Sequence, residues 1–333
     1  METVTGGFSG AAGAAAHEAS ITGGLTAAPP IGVPIKLGDG STAYLSYLDS
    51  TGVRKAPASV RVTQPAFLVS DSLTAPGVTM GHRGASGTAG HAEMSRKAYR
   101  YAATQRGYRM LEFSCNVTSD GVFVGTHDNN LSRTSQTTGL ADLNTMTWAD
   151  VQAYMNTLNA STPQPYYRLE EFLDEFTPEA TVHVDPKYAK AGMAPFLAVL
   201  NAHGGPERIV FKYVSSSVGA ALLADAAKAA GYTTAGYFYE ADWASGAIDA
   251  IQSRWDILGM EYTASTDAWS RTTTGAYPGL RSYGKPVLAH VIPSAAAYDT
   301  AKTKIEEGGW VDGTPGHTWI AQVSRPDLVA PVW

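Results

Sequence analysis

The sequence has a single cysteine, Cys115, so no internal disulfide can form. That residue sits in the apolar run "RMLEFSC", where an inert core thiol is expected rather than a nucleophile. No apolar run approaches the ~18 residues a membrane-spanning helix needs. Charge is sparse as well: 16% of residues carry one and the net is −6. Without a basic patch or basic helix, a nucleic-acid partner and a basic membrane anchor are excluded as expectations. The opening "METVTGGFSGAAGAAAHEAS" lacks a basic start and an apolar core, so no secretory signal is expected. No Gly-x-Ser-x-Gly elbow surrounds Ser114, which argues against a nucleophile there. No Gly-rich phosphate loop follows the first strand of the main region, which argues against a doubly wound open sheet. No internal repeat is visible.

What remains is a well-cored globular chain of 333 residues, 44% of them hydrophobic. Residues 1–75 read as an N-terminal Gly/Ala-rich arm plus a small β element. Two β-rich runs surround Asp39-Gly40, a hairpin signal, and "ASVRVTQPAFLVS" reads as one more strand. The arm's composition cannot bury enough surface to order alone, so assembly into a homo-oligomer or larger complex through residues 1–75 is expected.

From residue 76 to 333 the pattern changes. Short β-branched or aromatic runs are expected at 77–81, 109–115, 122–127, 181–187, 208–214, 234–240, 256–262 and 285–292. Helical runs lie at 92–106, 147–157, 168–176, 190–203, 216–231, 242–253 and 294–307. Eight strands with interleaved helices fit a (β/α)8 TIM barrel.

In such a barrel, chemistry gathers at the C-terminal strand ends. The first four ends carry His82-Arg83, Glu112 with Ser114, His127-Asp128, and Asp185 with Lys187. Two histidines near pKa 6.5 can hold opposite protonation states. Arg83 offers a planar fork for phosphate oxygens and Lys187 a point charge, while carboxylates suit a hard cation such as Mg²⁺ or Ca²⁺. The set therefore suits phosphate-ester chemistry. Later strands add Lys212, Glu240, Glu261 and His290 with less pattern. Tyr237, Tyr239 and Trp255 read as core packing, and His91, His183, His203 and His317 as ordinary surface or core histidines.

These motifs resemble the glycerophosphodiester phosphodiesterase family. "HRG" (82–84) matches its first-strand motif. "AEMSRKAY" (92–99) resembles its Pro-Glu-Asn-Thr helix start, "EFSCNVTSDG" (112–121) its Glu-x-Asp-Val run, and "VGTHDNNLSRTS" (124–135) its His-Asp run. "HVDPK" (183–187) resembles its Glu-x-Lys strand, and "GGWVDGTPG" (308–316) its last strand. The resemblance implies metal-assisted hydrolysis of glycerol-phosphate phosphodiesters. It makes His82 and His127 the acid–base pair and Arg83 and Lys187 the phosphate contacts. Glu112 and Asp185 become ligands of a divalent cation, Mg²⁺ or Ca²⁺, with Glu93 and Asp128 in support. The family's second metal carboxylate falls on Ser114, leaving two charges where three are usual, and a hard cation so held binds more weakly. Expected ligands are glycerophosphate-containing small molecules, lipids or cell-surface polymers of the teichoic-acid kind. An assembly arm without a signal peptide suits either a phage tail or virion component or a cytoplasmic enzyme. The alternative is a receptor-binding virion protein that uses a weakened barrel to bind such polymers.

Overall fold

A computed structural model describes residues 66–187, 193–217, 219–261, 280, 283–307 and 318–333, with the backbone of four short strands between residues 33 and 55. Those strands belong to a first unit, Met1–Pro65. β1 (Val33–Lys36) pairs antiparallel with β2 (Thr42–Leu45) on either side of Asp39-Gly40, as the hairpin signal implied. β3 (Tyr47–Leu48) pairs antiparallel with β4 (Arg54–Lys55). The arm expected over residues 1–30, the segment 308–316 and His317 lie outside the described residues.

The second unit, Ala66–Trp333, is a TIM barrel. In chain order its strands are β5 (Gly77–Gly81), β6 (Met110–Val117), β7 (Phe123–Gly125), β8 (Thr181–Pro186), β9 (Ile209–Val214), β10 (Thr233–Phe238), β11 (Ile257–Glu261), β12 (Val287–Ile292) and β13 (Trp319–Val323). All but β7 are parallel neighbours, and β13 returns to pair with β5, closing a ring of eight. Seven of the expected strands take these places. The run 122–127 does not: β7 folds back antiparallel on the upper half of β6, Cys115 against Gly125. The eighth barrel strand is instead "WIAQV", β13. The hairpin arises because "TSDG" turns the chain at once. Thr118 Oγ1 donates to Asp120 Oδ1 at 2.5 Å and accepts from Val122 N–H at 2.9 Å, and Gly121 supplies φ +87°.

Residues 66–75, read above as part of the arm and as a strand, lie with the barrel. Val69–Thr74 is helical, and Phe67 and Val69 plug the barrel floor. That floor is an inward apolar layer of Val78, Met80, Met110, Val210, Ala235, Ile257, Leu288 and Ile320. Their strand neighbours, such as Leu111, Val182, Phe211, Leu258 and Ala321, face the helices. Helix Leu169–Phe176 buries Leu169, Phe172, Leu173 and Phe176, spaced as one helical face. Because side chains alternate along a strand, the next inward positions up the ring are fixed: Glu112, Lys212, Tyr237, His290 and Gln322. Each follows a floor residue by two. The barrel interior thus turns from apolar to polar within one step up every one of these strands.

Candidate active site

The stretch "GHRGAS" (81–86) turns off β5 at the top of the ring. Arg83 has φ +49° and Gly84 φ +77°. A Cβ at Gly84 would meet the Ala98 carbonyl carbon at 3.1 Å, so glycine is required there. The left-handed turn at Arg83 points its backbone N–H at Glu112 Oε2, 3.0 Å away, and its carbonyl accepts from Met94 N–H at 2.9 Å. Arg83 and Glu112 thus meet through the backbone. The Arg83 guanidinium reaches Glu93 Oε2 at 3.2 Å, and its buried Nε has no hydrogen-bond partner.

His82 is buried. Its Nδ1 lies 2.9 Å from Ser86 Oγ and 3.2 Å from Ser324 Oγ, so the first and last loops of the ring share this imidazole. Burial, then the positive charge of Arg83, hold its pKa well below the ordinary value, with Glu112 opposing. His127 follows β7 rather than ending a barrel strand. Its Nδ1 lies 2.9 Å from Asp128 Oδ1. Burial lowers its pKa too, but the Asp128 hydrogen bond pulls it back upward. Asp128 is held ionised by that hydrogen bond and by Arg133, whose Nε donates to Oδ2 at 2.6 Å. The backbone beneath His127 is pinned by Asn116 Nδ2, which donates to the carbonyls of Thr126 at 3.1 Å and Asp128 at 2.7 Å.

The floor of the mouth holds the two expected carboxylates. Glu112 Oε1 accepts from Lys212 Nζ and from Ser114 Oγ, both at 3.1 Å. Burial alone would raise the pKa of Glu112, but Lys212, His82, Arg83 and Lys187 together hold it well below the usual carboxylate range. Asp185 Oδ2 is 2.6 Å from Lys187 Nζ and 3.9 Å from Lys212 Nζ. The contact with Lys187 is an ion pair, because neither Asp185 oxygen accepts a well-angled hydrogen bond. Lys187 Nζ also donates to Tyr237 Oη at 2.8 Å, and Lys212 Nζ lies 5.0 Å from the centre of the Tyr237 ring. The His290 ring packs edge-on against Tyr237 at 4.8 Å. Gly259 makes room for this tyrosine, since a Cβ there would come within 2.8 Å of Tyr237 Cβ.

All nine anticipated residues therefore meet at one end of the barrel: His82, Arg83, Glu93, Glu112, Ser114, His127, Asp128, Asp185 and Lys187. Lys212, named above among the later strand ends, joins them, as do Tyr237, Gln322, Asn116 and Arg133, which were not anticipated there. Tyr237 and Gln322 were signalled only by falling two positions above an apolar floor residue, a pattern visible once the inward face is known. Tyr237, read as core packing, is a wall of the mouth; Trp255 is core, packed on Gly236. No group of three or more His, Cys, Asp and Glu side chains able to hold a metal occurs among the described residues. The two carboxylates that the resemblance assigns to a cation are both engaged by ammonium groups, so the residues present do not fit a divalent ion as they stand.

Residues 82–218 match the model of the glycerophosphoryl diester phosphodiesterase family. The matched span runs from the first catalytic candidate past Lys212, and it bears out the resemblance read from the motifs. Solved members of that family share the fold. A glycerophosphodiester phosphodiesterase from Agrobacterium tumefaciens has 19% identity and a TM-score of 0.56, covering 75% of this chain and 97% of its own. One from Thermotoga maritima has 17% identity and a TM-score of 0.53, over 75% and 95%. A phosphodiesterase from Oleispira antarctica, solved with the product sn-glycerol-3-phosphate, has 17% identity and a TM-score of 0.56, over 75% and 93%. No curated protein sequence matches the chain.

Proposed function

We propose that the barrel hydrolyses phosphodiesters of glycerol phosphate, with His82 as general base and His127 as general acid. One observation supports this most: both imidazoles are pinned through Nδ1, each leaving Nε2 for a substrate. Their surroundings divide the roles. His82 is buried among cations, which favours the neutral ring of a base. His127 has Asp128 behind it, which stabilises the imidazolium of an acid.

In the forward step a hydroxyl oxygen, from the neighbouring carbon of the glycerol or from water, attacks phosphorus. Its proton passes to His82 Nε2. The bond from phosphorus to the leaving alcohol breaks, and His127 Nε2 gives its proton to that oxygen. Where the glycerol hydroxyl attacks, a cyclic phosphate forms, and water opens it with the two rings exchanging roles. In this reading Arg83, whose buried Nε lacks a partner, and Lys187 neutralise the phosphoryl oxygens. The intact acid–base pair favours turnover over bare binding.

The test is an assay of glycerophosphocholine, glycerophosphoglycerol and teichoic-acid fragments, followed by phosphorus NMR. Release of glycerol phosphate or its cyclic ester by the wild type, and its loss in His82→Asn and His127→Asn, is expected. A wild type inert on every one of these diesters refutes the reading.

A further inference from the structure

Lys212 sits where two buried acids need a cation. It rises from β9, next in the ring after β8, which bears Asp185; β6, which bears Glu112, lies on the other side of β8. Its Nζ lies 3.1 Å from Glu112 Oε1, 3.2 Å from Gln322 Oε1 and 3.9 Å from Asp185 Oδ2, while the Tyr237 ring covers it at 5.0 Å. Three strands thus offer oxygens to one ammonium group. Ser114, on the same inward face of β6, uses its hydroxyl as a donor to Glu112 Oε1, the reverse of a ligand's role.

Charge at this floor is already balanced. Glu112 and Asp185 carry two negative charges, and Lys212 and Lys187 two positive ones. A divalent ion added beside them would bring two uncompensated positive charges into a buried site and would have to shed its water to enter. It would also lack the six or more oxygen ligands that Ca²⁺ takes and the near-octahedral shell that Mg²⁺ demands.

We infer that Lys212 is a built-in cation that replaces the divalent metal of this site, so that the chain binds no Mg²⁺ or Ca²⁺ there and cleaves its diester without one. Lysine at 212 and serine at 114 then form one coordinated exchange. The ammonium supplies the positive charge, and a third carboxylate is no longer needed. Lys212 is a positioning residue: it holds Glu112, and Glu112 holds the Arg83 turn that presents His82 and the guanidinium. The statement about turnover rests on the function proposed above; the statement about binding does not.

The full-length chain, treated with EDTA and dialysed, should show no saturable heat on calorimetric titration with Mg²⁺ or Ca²⁺. Its melting temperature should not move with either ion, and its diesterase rate should survive EDTA. Lys212→Met removes the internal cation at similar length, and Ser114→Asp restores an acidic oxygen. The double variant should bind Ca²⁺ at least ~10-fold more tightly than the wild type, since it frees Glu112 from its ammonium partner and adds a third carboxylate beside Asp185. Should Lys212→Met fail to fold, the wild-type titration decides alone. Saturable wild-type binding that Glu112→Gln abolishes overturns the inference, as does a folded double variant that binds no more tightly than the wild type. A chain inert on all diesters would sink the proposed function while the titrations still judged Lys212.

Discussion

Glu93 and Asp128 accept hydrogen bonds from one guanidinium, that of Arg133, at 2.5 and 2.6 Å. Glu93 in turn holds Arg83, and Asp128 holds His127. A chain of alternating charge, Arg83–Glu93–Arg133–Asp128–His127, therefore ties the loop after β5 to the loop after β7. Arg133→Met should cut it. We expect kcat to fall with little change in KM, and stability to fall by about 1–3 kcal/mol because charged hydrogen bonds are lost. Arg133→Lys should recover only part of the rate, since an ammonium lacks the planar fork that grips two acids. Steady-state kinetics and urea unfolding check both; equal kcat in all three proteins would disprove the link.

Removing either imidazole should cost more. His82→Asn and His127→Asn are each expected to lower kcat by roughly 10²–10⁴, the usual worth of a positioned acid or base. Circular dichroism should remain that of the wild type. A variant retaining more than half the wild-type rate would exclude its ring from proton transfer.

Asp128→Asn separates the two roles. Asp128 raises the pKa of His127 against burial, so its neutral replacement should let that pKa drop. The alkaline limb of the kcat/KM profile, where the acid loses its proton, should move to lower pH. The acidic limb belongs to His82 and should stay in place. Movement of the acidic limb alone would reverse the assignment.

Two other rings govern acid stability. His183 and His290 are buried, and burial followed by the charge of Lys212 lowers the pKa of each to about 3. Both His183 nitrogens lack a hydrogen-bond partner. Unfolded, each ring takes a proton near pH 6.5. The unfolded chain therefore binds more protons between those limits, and stability falls as pH falls through them. The expected slope is about 1.4 kcal/mol per pH unit for each ring. Between about pH 6 and 5, His183→Gln should lower the slope seen in urea titrations by one ring's share, about 1.4 kcal/mol per pH unit, while His82, also lowered by burial, keeps its own. An unchanged slope would show that His183 already carries its proton in the folded state.

The site was legible because its residues lie in short local motifs. "HRG", "EFS" and "HDNNLSR" each place chemistry at a strand end or tight turn, and local spacing suffices to find them. The fold class followed from the alternation of strand and helix runs. The strand order did not, because "VFVGTH" has the same β-rich texture whether it enters the ring or folds back. Only "TSDG", with its side-chain-locked turn, marks the hairpin. "WIAQV" follows the expected helix 294–307, but the motif at 308–316 drew the last strand to the run just ahead of it. Lys212 was visible as a later-strand candidate but its role was not, and Gln322 was not visible at all. Each is a single polar residue in an otherwise apolar run; the role of Lys212 depends on Glu112, a hundred residues away, and that of Gln322 on Lys212.

The return of β13 to β5 gives the molecule a temporal order. As the chain leaves the ribosome, the first histidine of the site emerges early, with "HRG". Its β-sheet neighbour Val323, which accepts the His82 N–H at 2.9 Å, and its hydroxyl partner Ser324 emerge more than two hundred residues later. Until then His82 has no lateral strand on that side and no complete cradle. A nascent barrel is thus an open, unfinished pocket, and the act that closes its wall also completes the cradle of His82.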